Sequence, residues 1–150
     1  MGLFLMPLIS VGLYILLRVI PRIDPQAHRY IQFARAYSVI RLALLCVLAA
    51  IHVATIAIAL GFQFDMGLVV SSLTGGLMVL LGNDMSKIRP NWFVGIRTPW
   101  TLESKSSWMK THRQARWIFG IGGLAIIATG FTQSGYALTA ALVILLGGTA

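Results

Sequence analysis

Apolar positions fall into five stretches, residues 3–20, 38–61, 67–82, 117–131 and 136–148, separated by polar or basic segments. Stretches of this kind predict membrane-crossing α-helices, because a backbone in lipid must satisfy its own N–H and C=O groups. About 20 residues at 1.5 Å rise cover the roughly 30 Å of hydrocarbon. The first two stretches can span unaided, whereas the last three require helical extensions or local thinning of the bilayer. Only Thr132-Gln133-Ser134-Gly135 separates the last two, which read as two helices, with a re-entrant hairpin as the alternative. The expected fold is all-α: a polytopic helical membrane bundle, one domain over residues 1–150. The first stretch is expected to be retained, since Arg18, Pro21 and Arg22 follow it in place of a small-residue cleavage pattern.

Composition supports lipid as the solvent. Hydrophobic residues make up 57% of the chain and charged residues 11%, against roughly a quarter charged in soluble domains. The net charge of +8 sets twelve Lys and Arg against Asp24, Asp65, Asp84 and Glu103. Apart from Arg41, inside the second stretch, the cations fall in or beside alternate connections. Arg18, Arg22, Arg29 and Arg35 lie in or beside the loop 21–37, and Lys87, Arg89, Arg97, Lys105, Lys110, Arg113 and Arg116 lie in the loop 83–116. The connections near 63–66 and 132–135 carry no basic residue. The positive-inside rule therefore predicts cytoplasmic loops at 21–37 and 83–116, an outside N-terminus and a cytoplasmic C-terminus. So placed, the charge reads as contact with anionic lipid and not as nucleic-acid binding. Cys46 is the sole cysteine, so no internal disulfide and no cysteine-based metal site is expected.

Several positions carry more local information. Asp24-Pro25 reads as an N-cap followed by proline at the first helical position. The helix starting there would put Tyr30, Ile31, Ala34 and Tyr37 on one side and Arg29, Gln32 and Arg35 on the other, an amphipathic interfacial helix running into the second span. Arg41 and His52, at 100° per residue, fall on one face of that span. Intramembrane ionisable residues are expensive and face bundle interiors or wet cavities. His52 either hydrogen-bonds a neighbouring helix, at Ser71, Ser72 or Thr74, or handles a proton or ligand. Ser71, Ser72, Gly75 and Gly76 form overlapping small-xxx-small pairs for close helix packing, within one chain or between copies in a homo-oligomer.

The loop 83–116 is the least generic segment. Trp92, Phe93, Trp100, Trp108 and Trp117 are rings suited to the head-group level, while Pro90, Gly95 and Pro99 supply turns. Ser106 or Ser107 is expected to cap a helix that runs through Trp108, Lys110, His112 and Arg116 into the fourth span. The run Lys87-Ile88-Arg89-Pro90-Asn91-Trp92-Phe93-Val94-Gly95-Ile96-Arg97-Thr98-Pro99-Trp100-Thr101-Leu102, followed by Trp108-Met109-Lys110-Thr111-His112-Arg113, resembles the signature of the SdpI family. Pro21-Arg22-Ile23-Asp24-Pro25 and the segment 37–41 are similar to it as well. The resemblance implies a multi-span protein of the bacterial inner membrane, related to immunity against a secreted, membrane-active peptide toxin. It also implies sensing of that toxin and a cytoplasmic DNA-binding repressor as partner.

Three functions follow from these residues and this resemblance. The preferred one is immunity or sensing with signalling through a cytoplasmic face made of Asn91, Arg97, Trp100, Glu103, Lys110, His112 and Arg113. Its charges otherwise serve anionic lipid or a local pair between Glu103 and a cation. A small transporter or channel, acting as an oligomer, would use Arg41, His52 and Asp84 as a polar path. A membrane-embedded hydrolase would use Glu103, His112 and Arg113. This third reading is the weakest, because HExxH, GxSxG and paired-carboxylate patterns are all missing from the chain. No metal and no cofactor is expected.

Overall fold

The computed structural model of the chain describes residues 4–132. Its helices are α1 (Leu5–Ile23), a 3₁₀ helix (Ala27–Phe33), α2 (Ala34–Ala59), α3 (Met66–Met85), α4 (Pro99–Glu103) and α5 (Lys105–Thr132). Among the described residues there is no strand. The chain is an all-α membrane protein, and four helical segments are long and apolar enough to cross a bilayer: Leu5–Ile23, Ala27–Ala59, Met66–Met85 and Lys105–Thr132. The fifth expected span, 136–148, lies outside the described residues.

α1 carries Pro21 in its last turn. Proline has no N–H, so the carbonyl four residues earlier, Leu17, loses its helical donor. The Tyr37 hydroxyl of α2 donates to that Leu17 carbonyl. A proline vacancy in one helix is thus filled from the next.

Asp24 closes α1, its amide donating to Ile20 O at 3.1 Å. Its Oδ1 accepts from Gln26 N at 2.8 Å. The expected α-helical start at Asp24 is replaced by a 3₁₀ helix over Ala27–Phe33. With three residues per turn, positions i and i+3 align. Tyr30 and Phe33 accordingly turn inward together, and Ala36 and Tyr37 follow in the first turn of α2. The ring of Tyr30 lies 4.9 Å from Phe33 and 5.4 Å, edge-on, from Tyr37. Ile31, expected on the apolar side of an interfacial helix, is 81% exposed.

α2 ends in a Schellman turn, with Phe62 N donating to Ala57 O and Gly61 N to Ile58 O. Asp65 caps α3, its Oδ1 accepting from Gly67 N and Leu68 N. The small residues of α3 meet α5 of the same chain. A Cβ on Gly75 would stand 2.4 Å from Gly123 O, and one on Gly123 would stand 2.5 Å from Gly75 O. The two backbones touch there, so neither position admits a side chain. Ser71 is buried on the same side, whereas a Cβ on Gly76 would meet nothing.

The spans leave much of their apolar surface exposed, as a lipid-facing bundle should. The densest core lies instead at the end where the two basic loops meet. It contains Ile20, Tyr30, Phe33, Tyr37, Ile40, Met85, Ile88, Trp108 and Ala115. Trp108 therefore departs from its expected head-group placement: it is 0% exposed. Trp92, Phe93, Trp100 and Trp117 are exposed. α5 is one continuous helix into the fourth expected span. Its start is held by Ser104, whose Oγ accepts from Ser107 N and whose carbonyl accepts from Trp108 N, so the cap falls before Ser106 and Ser107. The preceding short helix α4 uses the residues up to Glu103 and makes Ser104 the natural break.

Candidate functional site

Residues 88–98 have no ladder or helix to satisfy their backbone, yet they pack against the core. Buried backbone groups require partners, and side chains supply them here. Asn91 Oδ1 accepts from Phe93 N at 2.9 Å and Val94 N at 2.6 Å. Its Nδ2 donates to Arg89 O and Val94 O. Thr101 Oγ1 accepts from Thr98 N at 2.8 Å and donates toward Ile96 O and Thr98 O. Trp108 Nε1 donates to Ile88 O at 2.9 Å.

His112 supports the turn at Gly95. Nε2 accepts from Ile96 N at 3.1 Å. Nδ1 lies 2.9 Å from Trp108 O and donates to it. A ring that accepts at one nitrogen and donates at the other is the neutral imidazole. It stacks on Trp108 with centroids 4.1 Å apart. Gly95 has φ +114°, and a Cβ there would lie 2.4 Å from His112 Nε2. Glycine is required for both its backbone angle and this approach.

Asp24 joins the two basic loops. Its Oδ2 accepts from Trp92 N at 3.0 Å and from the Tyr30 hydroxyl at 2.9 Å. Tyr30 Oη also lies 3.3 Å from Asn91 Oδ1. Arg29 Nη1 donates to Pro90 O at 3.1 Å. Asp24, at 4% exposure, keeps three hydrogen-bond donors around a buried carboxylate. Charge-assisted bonds to an anion are worth about 1.5–3 kcal/mol each, which offsets its desolvation. In the sequence Asp24 reads only as a helix cap, and no local pattern marks Tyr30, Thr101 or Trp108 as fixing the loop. An acid isolated in a basic loop was the available signal.

The residues expected to form a binding face divide into two groups. Asn91 and His112 are interior, at 2% and 1% exposure, with their polar atoms spent on the loop backbone. Arg97, Trp100, Glu103, Lys110 and Arg113 are exposed. Lys87 forms an ion pair with Asp84, whereas Glu103 makes none with a neighbouring cation among the described residues. Glu103 and His112 are not hydrogen-bonded to one another, and both His112 nitrogens are already engaged. Asp84 is buried at the end of α3 beside Lys87. Arg41 and His52 are half-buried along α2. His52 makes no hydrogen bond to Ser71, Ser72 or Thr74; Ser71 Oγ donates within its own helix to Gly67 O. No group of three or more His, Cys, Asp or Glu suited to a metal occurs among the described residues.

A cleft of about 480 Å³ opens between the two basic loops, with Gln26, Arg29, Arg89, Trp92, Glu103 and Lys105 among its walls. A second, of about 530 Å³, lies by Arg35, Asp84 and Lys87.

Comparison with known proteins bears on this loop end directly. Residues 87–150 match the model of the SdpI/YfhL protein family. The chain is 27% identical over 103 residues to the Immunity protein SdpI of Bacillus subtilis (strain 168), covering 69% of this chain and 50% of that protein. The chain thus spans about half the length of this curated relative. No solved structure matches it.

Proposed function

We propose, on the membership of the SdpI family that these two matches support, that this membrane protein gives immunity to, or senses, a membrane-active peptide toxin. The observation that carries the reading is the 103-residue match to a relative named as an immunity protein. Signalling to a cytoplasmic repressor is the finer part of the proposal. Its support is mechanical. α1 is fastened to the rest at its loop end, through the Leu17 carbonyl and Asp24, while Leu8, Val11, Ile15 and Leu16 are exposed along its length. A peptide entering the bilayer beside α1 would act on a helix whose end is bonded to Trp92 of the second basic loop. By the charge rule that loop faces the cytoplasm. Arg97, Lys110 and Arg113, with Trp100 at their side, offer cations and an aromatic ring to a partner protein there.

The test is protection. The full chain is expressed in a sensitive bacterium and challenged with a panel of secreted membrane-active peptides, with growth as the readout. Protection against at least one peptide is expected; none across a broad panel would defeat the proposal. For the signalling part, capture of a DNA-binding repressor is compared between wild type and Arg97→Ala with Trp100→Ala. Equal capture by both would count against this face.

A further inference from the structure

The cleft between the basic loops is lined by three cations, Arg29, Arg89 and Lys105, and one carboxylate, Glu103. These charges have not collapsed onto one another. Among the described residues Glu103 makes no ion pair, and the contact of Arg89 is Nη1 with Met109 Sδ at 3.7 Å, a weak acceptor. Lys105 makes no hydrogen bond among them either. Arg29 is held against the wall by its bond to Pro90 O, which leaves the rest of its donor fork to the cleft. Lys105 is also the first residue of the 28-residue helix α5, so the positive end of that helix adds to the field. Trp92 and Leu102, both exposed apolar side chains, complete the rim. Cations around an open volume and an apolar lip match an amphiphilic anion.

The geometry points to a binding site for a phosphate ester: the phosphate head group of an anionic phospholipid, with Arg29, Arg89 and Lys105 on the phosphate. The volume is within the range of small-ligand pockets. Trp92 and Leu102 lie where the glycerol and first methylenes of the lipid would pass. Its three cations lie outside the exposed partner face, which it adjoins at Glu103, and it does not depend on toxin immunity.

The full chain in phosphatidylcholine nanodiscs is titrated with water-soluble dihexanoyl phosphatidylglycerol, with glycerol 3-phosphate, and with dihexanoyl phosphatidylcholine, following tryptophan fluorescence. Saturable binding of the phosphatidylglycerol is expected, weakened about ten- to a hundred-fold in R89Q/K105Q, as loss of charge-assisted hydrogen bonds predicts. R22Q/R35Q removes the same charge from exposed positions outside this cleft and is expected to bind within about twofold of wild type, the ordinary scale for screened surface charges. If folding of R89Q/K105Q fails by elution profile, K105Q alone, at an exposed helix start, is the variant read. Glycerol 3-phosphate binding as tightly as the lipid would assign the same site to a soluble phosphate ester, whereas weaker binding would assign it to lipid. No saturable binding, equal binding of phosphatidylcholine, or equal losses in both double variants would overturn the site.

Discussion

Replacing Asp24 by asparagine changes one atom type and almost no volume, so it isolates the hydrogen bonds of the loop junction from its packing. The carboxylate now accepts three: from Gln26 N at 2.8 Å, Tyr30 Oη at 2.9 Å and Trp92 N at 3.0 Å. An amide has one oxygen and one NH₂. Turned one way, its NH₂ faces Gln26 N–H; turned the other, it faces Trp92 N–H, and a backbone donor cannot reverse. Tyr30 can rotate its proton toward Asn91 Oδ1, which lies 3.3 Å away. One donor is therefore orphaned in either orientation, and the remaining bonds lose their charge assistance. At about 1–3 kcal/mol for a buried unsatisfied group, plus the weakening of the others, the expected cost is about 2–4 kcal/mol. Local opening of residues 88–98 should then be about thirtyfold or more frequent, at 1.4 kcal/mol per factor of ten. Hydrogen-exchange mass spectrometry on the protein in nanodiscs reads this opening at the Trp92 and Ile96 amides. Exchange within twofold of wild type at both would refute the view that Asp24 holds the loops together.

The other predictions probe neighbouring contacts. Gly95→Ala places a Cβ against His112 Nε2 at a φ of +114°; it should release the Ile96 amide and speed its exchange with little change in α1. Tyr37→Phe strands the Leu17 carbonyl that Pro21 leaves without a donor, at about 1–3 kcal/mol, measured as a lower denaturation midpoint in detergent. Restoring that donor from within α1 by Pro21→Ala in the same chain should recover part of the loss. Gly123→Val drives a side chain into the Gly75 carbonyl and should abolish the folded protein by size-exclusion, whereas Gly76→Val, with open space beside it, should leave the elution profile unchanged. Trp108→Phe keeps most of the buried ring but removes the donor to Ile88 O; a loss of about 1–3 kcal/mol is expected by the same denaturation.

What the sequence made readable was whatever depends on local pattern. Apolar run lengths marked α1, α2, α3 and α5, and the small residues of α3 marked a close helix contact, though not that Gly123 of the same chain is its other half. The loop was recognisable as structured from its Trp, Gly and Pro content. Its bonding was not, because the partners are remote: Asp24 and Trp92 are 68 positions apart, and Tyr30 and Asn91 are 61 apart. Trp108 is chemically the same residue as Trp92 and Trp100, so composition alone could not send one inside and leave two at the surface. The winding of the first loop was hidden for the complementary reason: the spacing of its apolar residues fits an α-helix, but residues Ala27–Phe33 are wound with three residues per turn, and Tyr30 and Phe33 take the inner side.

The loop end is ordered by substitution of side chains for secondary structure. A turn-rich segment against a core must satisfy each buried backbone group individually. In residues 88–98 the donors Trp92, Phe93, Val94, Ile96 and Thr98 and the acceptors Ile88, Arg89, Pro90, Val94 and Ile96 are each matched to a side chain. Those side chains come from three places: Asp24 and Arg29 from the first basic loop, Asn91 and Thr101 from the loop and α4, Trp108 and His112 from α5. All of them but Arg29 are buried, and none can leave without stranding a backbone group. The segment consequently cannot shift independently of α1, whose last residue adjoins Asp24, or of α5, which carries both rings. A displacement of either helix relative to the other must break one of these bonds or carry the loop with it. That constraint is what would join an event beside α1 in the bilayer to the exposed Arg97 and Trp100 on the loop's far side.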